Sequence, residues 1–71
     1  MMDNTIAKLG TIVKQSRKEQ GLTQEQLAAT TGVGVRFIRE LEHGKASCHI
    51  GKALHVVSML GLDISIGSTQ L

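Results

Sequence analysis

Two arginines, a glutamate and a histidine recur at helical spacing in the middle of the sequence. At about 100° per residue, Arg36, Arg39, Glu40 and His43 fall on one face of a helix. Guanidinium groups hydrogen-bond in pairs to a guanine edge, and a carboxylate accepts from a cytosine amine. The chemistry open to this face is therefore recognition by hydrogen bonding. A solvated polar face on an ordinary amphipathic helix is the alternative.

Two short helices joined by a tight turn are predicted to position this face. Thr23 and Gln26 form a capping box at the start of the first helix, and Gly32 permits the positive φ that ends it. The second helix is expected from about Gly34 to Gly44. Two helices joined by a short glycine-containing turn form the helix-turn-helix, whose second helix enters the major groove of DNA. The apolar stripe of the second helix is Phe37, Ile38 and Leu41.

A pattern of fixed spacings runs through residues 21–44: Gly21-Leu22-Thr23-Gln24, Leu27-Ala28, Gly32-Val33, Ile38 and Leu41-Glu42-His43-Gly44. With this pattern the segment resembles the phage-repressor and XRE family of helix-turn-helix proteins. With its flanking segments, the chain is most similar to the small HipB-type antitoxins that partner HipA-type kinase toxins. The resemblance implies a DNA-binding transcriptional repressor and, in its narrower form, an antitoxin that represses its own operon as a dimer.

Length and composition favour one small helical domain. The chain has 71 residues, of which 41% are hydrophobic and 20% charged. A chain of this size buries only about 60% of its unfolded surface, so pairing with a second copy would add stability. The net charge of +2 permits nucleic-acid binding without arguing for it alone. One cysteine, no signal-peptide pattern and no apolar run of about 20 residues favour a cytoplasmic protein.

The expected fold is mostly α: a four- or five-helix repressor-like helix-turn-helix domain with a short C-terminal β-strand that pairs across a homodimer. A flexible tail is expected at residues 1–4, the DNA-binding domain at 5–61, and the dimerisation strand and tail at 62–71. The first helix should run to about Gln20, with Gly10 marking a close helix contact, and the last from about His49 to Leu60. The predicted N-caps are Asp3 or Asn4 and Ser47; the predicted inward residues are Ile6, Leu9, Ile12 or Val13, Ser16, Ile50, Ala53, Leu54, Val57 and Leu60.

The C-terminal strand is predicted from alternation over residues 62–66. Leu62, Ile64 and Ile66 fall on one face of a half-buried strand. No other stretch alternates in this way, so the ladder partner is expected in a second chain. In the resembling antitoxins a C-terminal strand joins the two subunits in this manner. Residues 67–71 are expected to be a loose end, and a coil packed on its own domain is the alternative for the strand.

Four positions at the start of the second helix are expected to read bases, because they match the base-contacting positions of the family. Val35 can pack on a thymine methyl group, and Arg36 can hold a guanine. Arg39 can read a base or clamp a phosphate. Glu40 can accept from a cytosine amine or orient Arg36. At Gly34, where relatives often place Ser, Thr or Gln, the chain offers no side-chain contact.

A second set of residues is expected to contact the DNA backbone. Gln24 matches the family's backbone-contacting position and lies at a helix start, where the dipole favours a phosphate. Polar side chains around the end of the second helix would fix register without reading sequence, and solvated loop residues are the alternative there. The resemblance also implies a partly buried salt bridge between Arg17 and Glu42. The predicted backbone set is Thr23, Gln24, His43, Lys45 and Ser47.

No enzyme activity, cofactor or metal site is predicted. His49 and His55 are six residues apart and do not share a helix face, and nothing completes a tetrahedral set with Cys48. The expected partners are a palindromic double-stranded DNA site, a second copy of the chain and a HipA-type serine/threonine kinase toxin, with no membrane. A stand-alone phage-type repressor and a helix-turn-helix interaction module without DNA binding are the alternatives.

Overall fold

The computed structural model describes residues 5–45 and 49–70, which form four helices and a short C-terminal hairpin. The fold is mostly α, as predicted. The expected tail at residues 1–4 and the expected N-caps Asp3, Asn4 and Ser47 lie outside the described residues. Within the described ranges, no helix is long and apolar enough to cross a membrane. The elements are α1 (Thr5–Glu19), α2 (Gln24–Thr31), α3 (Val35–Glu42), α4 (Ile50–Met59), β1 (Ser65–Ile66) and β2 (Thr69–Gln70).

Local signals define α2 and its turn into α3. The Thr23 hydroxyl accepts from the Gln26 backbone N–H at 3.0 Å, and the Gln26 side chain accepts from the Thr23 N–H at 2.8 Å. This is the predicted capping box, which satisfies two backbone donors at the helix start. Gly32 ends α2 in the left-handed conformation at φ 79°, and its N–H donates to Ala28. After Gly34, which offers no side-chain cap, α3 begins.

The core lies where α3 packs against α1 and α2, with α4 closing it on the α2 side. The sequence left either Ile12 or Val13 as an inward residue of α1. Val13 is fully buried and Ile12 is 49% exposed, so Val13 is the inward one. In α4, the prediction that Ile50 faces inward was wrong, because its side chain is 59% exposed while Val56 is fully buried. That helix is apolar around much of its circumference, so spacing alone leaves its inward face ambiguous. The buried apolar residues are Val13, Leu27, Ala28, Ile38, Leu41, Ala53, Val56, Val57 and Leu60.

Two glycines let α1 approach the end of α3 closely. A Cβ at Gly10 would overlap the carbonyl oxygen of Leu41 and lie 3.0 Å from that of Glu42. A Cβ at Gly44, where φ is +72°, would lie 2.8 Å from the Cα of Ala7. The close contact predicted at Gly10 is therefore present, and it fixes α3 against the first helix.

The C-terminal segment differs from the predicted strand over residues 62–66. Only Ser65–Ile66 is extended as β1, and it pairs with Thr69–Gln70 of the same chain in an antiparallel hairpin. The prediction of a loose end at 67–71 was therefore wrong for Thr69 and Gln70. The signal was present in the sequence: Gly67, at φ +61°, precedes Ser68 in a two-residue loop of a kind that favours tight hairpins. Strands of two residues are too short to show alternation.

The expected apolar face of the strand is also divided. Leu62 and Ile64 are half-buried and pack against the core. Ile66 is 67% exposed, so the prediction that it shares an inward face with them does not hold within one chain. The segment before the hairpin therefore packs on the helical core through Leu62 and Ile64, while Ile66 in the hairpin is exposed to solvent.

Candidate nucleic-acid interface

The polar face of α3 surrounds a shallow groove of about 350 Å³. Five residues line this groove, and four of them are the predicted polar stripe. Three cationic side chains and a histidine surround a single carboxylate there, so the groove favours an anionic partner. The lining residues are Arg36, Arg39, Glu40, His43 and Lys45.

Arg36 projects from the first turn of α3 with its side chain 87% exposed. Its only ion pair within residues 5–45 and 49–70 is with Glu40 one turn on, where Arg36 Nε lies 3.3 Å from Glu40 Oε2. An exposed i, i+4 pair contributes only about 0.3–0.5 kcal/mol. The guanidinium is therefore steered by Glu40 rather than fixed, and its remaining donors stay available to a partner.

His43 follows α3 and hydrogen-bonds back onto it. Its Nδ1 lies 2.7 Å from the Arg39 carbonyl oxygen. A carbonyl only accepts, so Nδ1 carries the proton in this contact. The Nε2 of the neutral ring is then an acceptor, and His43 can donate to a phosphate only as the imidazolium.

Val35 and Gly34, at the start of α3, differ in how open their surroundings are. Val35 is half-buried and packs against the core, so only part of its surface can meet a thymine methyl group. A Cβ at Gly34 would meet nothing within 4 Å. The start of α3 therefore has open space beside it, as a helix inserted into a groove requires.

Gln24, Glu42 and Arg17 form a hydrogen-bonded network behind this face. Arg17 Nε donates to Glu42 Oε2 at 2.6 Å, and Arg17 Nη2 donates to Glu42 Oε1 at 3.1 Å. Gln24 Nε2 donates to the same Oε1 at 3.1 Å. The third guanidinium nitrogen donates to the Leu22 carbonyl at 2.7 Å. The ion pair implied by the family resemblance is thus present and extends to a residue expected to contact DNA.

The link from Gln24 to Glu42 was not anticipated from the sequence. The residues are 18 positions apart, and no local spacing signals such a contact. An amide nitrogen carries two hydrogens, so Gln24 can donate one to Glu42 and keep the other for a partner. The network therefore orients Gln24 without using up its donors.

The pKa of the Glu42 carboxyl is lowered by this network. Burial raises its pKa, but hydrogen bonds from Arg17 and Gln24 and the charges of Arg17 and Lys14 more than offset that effect. The net result is a pKa below the ordinary value. The Glu42 hydrogen bond in turn raises the pKa of Arg17. Both groups are therefore held in their charged forms.

The C-terminal helix braces both helices of the pair. His55 Nε2 donates to the Thr31 carbonyl at 2.8 Å, which links α4 to the end of α2. Lys52 Nζ lies 5.9 Å from the centre of the Phe37 ring, within the range of a cation–π contact. These contacts link α4 to both helices of the pair.

The structure brings the predicted residues together in two places. Those on and after α3 line the groove, and Gln24 lies at the start of α2 on the network. Thr23 is engaged in the capping box, and Ser47 is outside the described residues. Across the described parts of the chain, no three His, Cys, Asp or Glu side chains cluster so as to hold a metal ion.

Comparisons with known proteins agree with this geometry. The family model described as helix-turn-helix matches residues 13–65. An uncharacterised HTH-type transcriptional regulator, y4mF, of Sinorhizobium fredii is 50% identical over 62 residues, which cover 87% of this chain and 82% of the relative. An uncharacterised HTH-type transcriptional regulator of Methanothermobacter thermautotrophicus is 41% identical over 53 residues, which cover 75% of this chain and 77% of that relative.

Proposed function

Because the chain belongs to the XRE-type helix-turn-helix family and is a DNA-binding transcriptional regulator, we propose that it is a sequence-specific repressor that reads DNA with α3. The observation that carries this proposal is the groove on the polar face of α3, with Arg36 exposed at its start. A repressor needs only to occupy promoter DNA. The groove supplies hydrogen-bond donors on a rigid helix for that purpose.

Base reading is proposed for the N-terminal half of α3. Arg36 would donate to the two acceptors of a guanine edge, with Glu40 holding the guanidinium before binding. Arg39 would read a neighbouring base or a phosphate. The exposed part of Val35 would pack on a thymine methyl group.

Backbone contacts are proposed for the two ends of this surface. Gln24 would donate its second amide hydrogen to a phosphate at the positive end of α2. His43 as the imidazolium and Lys45 would hold the phosphates beyond the end of α3. These contacts would set the depth and register of α3 without reading sequence.

Two measurements test repression: the affinity of the protein for two DNA duplexes, and the output of a reporter gene. The wild-type protein is titrated against a labelled duplex from upstream of its own gene and against a shuffled duplex of the same composition. The proposal requires tighter binding to the upstream duplex and reduced reporter output from that promoter. Equal affinity for the two duplexes, or an unchanged reporter, would contradict it.

We also propose that the repressor acts as a homodimer through its C-terminal hairpin. The outer edge of β1 has no partner within the described chain, and Ile66 on that strand is 67% exposed. Pairing two such edges about a twofold axis would satisfy both ladders and cover the two isoleucines. Two α3 helices about 34 Å apart would then match successive major grooves of a palindromic site.

Two exposed isoleucines give a matched test of the dimer. Ile66→Lys places a charge on the proposed interface, and Ile50→Lys places one on an exposed position of α4, 59% exposed in the wild type. Light scattering should show a dimer for the wild type and for Ile50→Lys, and a monomer or a sharply weakened dimer for Ile66→Lys. A dimer of undiminished affinity for Ile66→Lys would place the interface elsewhere.

The finer proposal is that the chain is the antitoxin of a HipA-type kinase toxin encoded next to it. Its support is the resemblance of residues 21–44 and their flanks to HipB-type antitoxins, with the surface away from α3 as the kinase-binding side. Expression of the native operon with a tag on this chain tests it. Co-purification of a kinase supports the proposal, and recovery of the chain without any kinase would favour a stand-alone phage-type repressor.

A further inference from the structure

One stripe of α1 runs along the end of α3. Ala7 contacts Gly44, Gly10 contacts the carbonyls of Leu41 and Glu42, and Arg17 binds the Glu42 side chain. The α1 positions are 7, 10 and 17, which share one face at helical spacing. Position 14 completes that stripe at i+4 from Gly10 and i−3 from Arg17, and a lysine occupies it.

Lys14 and Ala7 are the exposed members of the stripe, and Lys14 is the one that carries a charge. It forms no ion pair within the described residues, and Glu42 is engaged by Arg17 and Gln24. Its charge nevertheless reaches that carboxylate, since it is one of the causes that lower the pKa of Glu42, behind burial and the hydrogen bonds of Arg17 and Gln24. The lysine is therefore near enough to act electrostatically on the carboxylate to which Gln24 is hydrogen-bonded.

Among the described residues, neither carboxylate near this corner forms an ion pair with Lys14. Glu42 is paired with Arg17, and Glu25 in the first turn of α2 also acts on Arg17, so the two cations and two carboxylates balance in number while the Lys14 ammonium stays exposed. The start of α2 adds a partial positive charge of its own. An anion that approaches Gln24 would therefore meet a lysine on the neighbouring helix as well.

We propose that Lys14 is a further DNA-backbone contact, which extends the phosphate-binding edge from the start of α2 onto α1. This inference rests on the proposed mode of DNA binding, in which Gln24 faces a phosphate. Lysine suits this place, since an ammonium on a flexible stem can contact a phosphate without strict geometry. The contact would add affinity on any sequence.

A salt titration tests this assignment with a matched control on the same helix. The probe is a labelled duplex of arbitrary sequence, and binding is measured by fluorescence anisotropy over a series of NaCl concentrations. Each phosphate contact contributes about 0.9 to the slope of log affinity against log salt. Lys14→Gln should reduce the slope by about 0.9 per bound protomer, and Lys14→Arg should retain it. Lys8→Gln is the control, because Lys8 is also exposed but lies about 120° around α1 from Lys14.

A purely structural lysine gives a different result. If Lys14 served only to balance Glu42, Lys14→Gln would lower the melting temperature and leave the salt slope unchanged, which overturns the inference. An equal fall in slope for Lys8→Gln would also overturn it, since the effect would then reflect net charge. A wild type that bound neither this duplex nor its upstream DNA would overturn the proposed function as well.

Discussion

Replacing Arg17 with methionine should destabilise the protein far more than the same change at Arg36. Both arginines pair with a glutamate, but the side chains of Arg17 and Glu42 are only 9% and 2% exposed, whereas that of Arg36 is 87% exposed. Arg17→Met keeps much of the side-chain volume and leaves the Glu42 carboxylate buried without its guanidinium. It also removes the donor to the Leu22 carbonyl.

The expected loss is a large part of the total stability. Breaking a buried ion pair from one side costs about 3–5 kcal/mol, and the residual exposure of Arg17 favours the lower end. A domain of 71 residues has about 4–11 kcal/mol to lose at about 0.05–0.15 kcal/mol per residue. A loss of about 3 kcal/mol lowers the melting temperature by about 12–24 °C. Arg36→Met should cost only about 0.3–0.5 kcal/mol.

The pH dependence separates lost charge pairing from lost packing. In the wild type the pKa of Glu42 lies below its ordinary value of 4.5, so the pair contributes fully above that value and its contribution is lost as pH falls through the folded pKa. In Arg17→Met, burial raises the pKa of the unpaired carboxyl, and protonation relieves the penalty. The difference in unfolding free energy between the two proteins should therefore be largest near neutral pH and narrow as pH falls towards about 4.

Urea unfolding followed by circular dichroism at several pH values measures this difference. Arg36→Met is the matched control, since it removes the same atoms from an exposed pair. Equal losses for the two variants, or a gap that stays constant from neutral pH to about pH 4, would refute the reasoning.

Two further variants test the network and the helix contact. Gln24→Ala should weaken binding to upstream and shuffled DNA alike, because phosphate contacts carry no sequence information. Gln15→Ala, on the exposed side of α1, is the control variant. A loss confined to the upstream duplex would contradict the assignment of Gln24 to a phosphate. Gly10→Ala should destabilise by about 1–3 kcal/mol through overpacking, because its Cβ would overlap the Leu41 carbonyl oxygen. Gly51→Ala, whose Cβ would meet only the His49 ring at 3.4 Å, should be neutral or stabilising in a thermal melt; a Gly10→Ala protein as stable as the wild type would show that α1 can move away from α3.

Sequence reasoning was most successful where the determinants are local. The capping box of Thr23 and Gln26 and the left-handed Gly32 specify α2 and its turn within a few residues of chain. The apolar stripe of α3 is equally clear, since Ile38 and Leu41 are fully buried opposite the polar face. Such short-range signals fix the helix pair, and the residues that line the groove follow from it.

The errors arose where the determinants are non-local or the pattern is degenerate. Ile50 was wrongly predicted to face inward, and Val56 was left out of the predicted stripe, because α4 is apolar on more than one face and only packing decides which face is inward. The hydrogen bond from Gln24 to Glu42 depends on the crossing of helices that are distant in sequence. The hairpin was missed because two-residue strands carry no periodicity, although Gly67-Ser68 is a turn signal.

The central claim is that the start of α3 reads base pairs, and Arg36→Ala tests it most directly. The affinity of the wild type and of the variant is measured on the upstream duplex, on single base-pair substitutions of it, and on the shuffled duplex. The account predicts a loss of about 1–3 kcal/mol on the upstream duplex, with relaxed preference at one base pair per half-site, and little change on shuffled DNA. An equal loss on upstream and shuffled DNA would reduce Arg36 to a phosphate contact and contradict the claim.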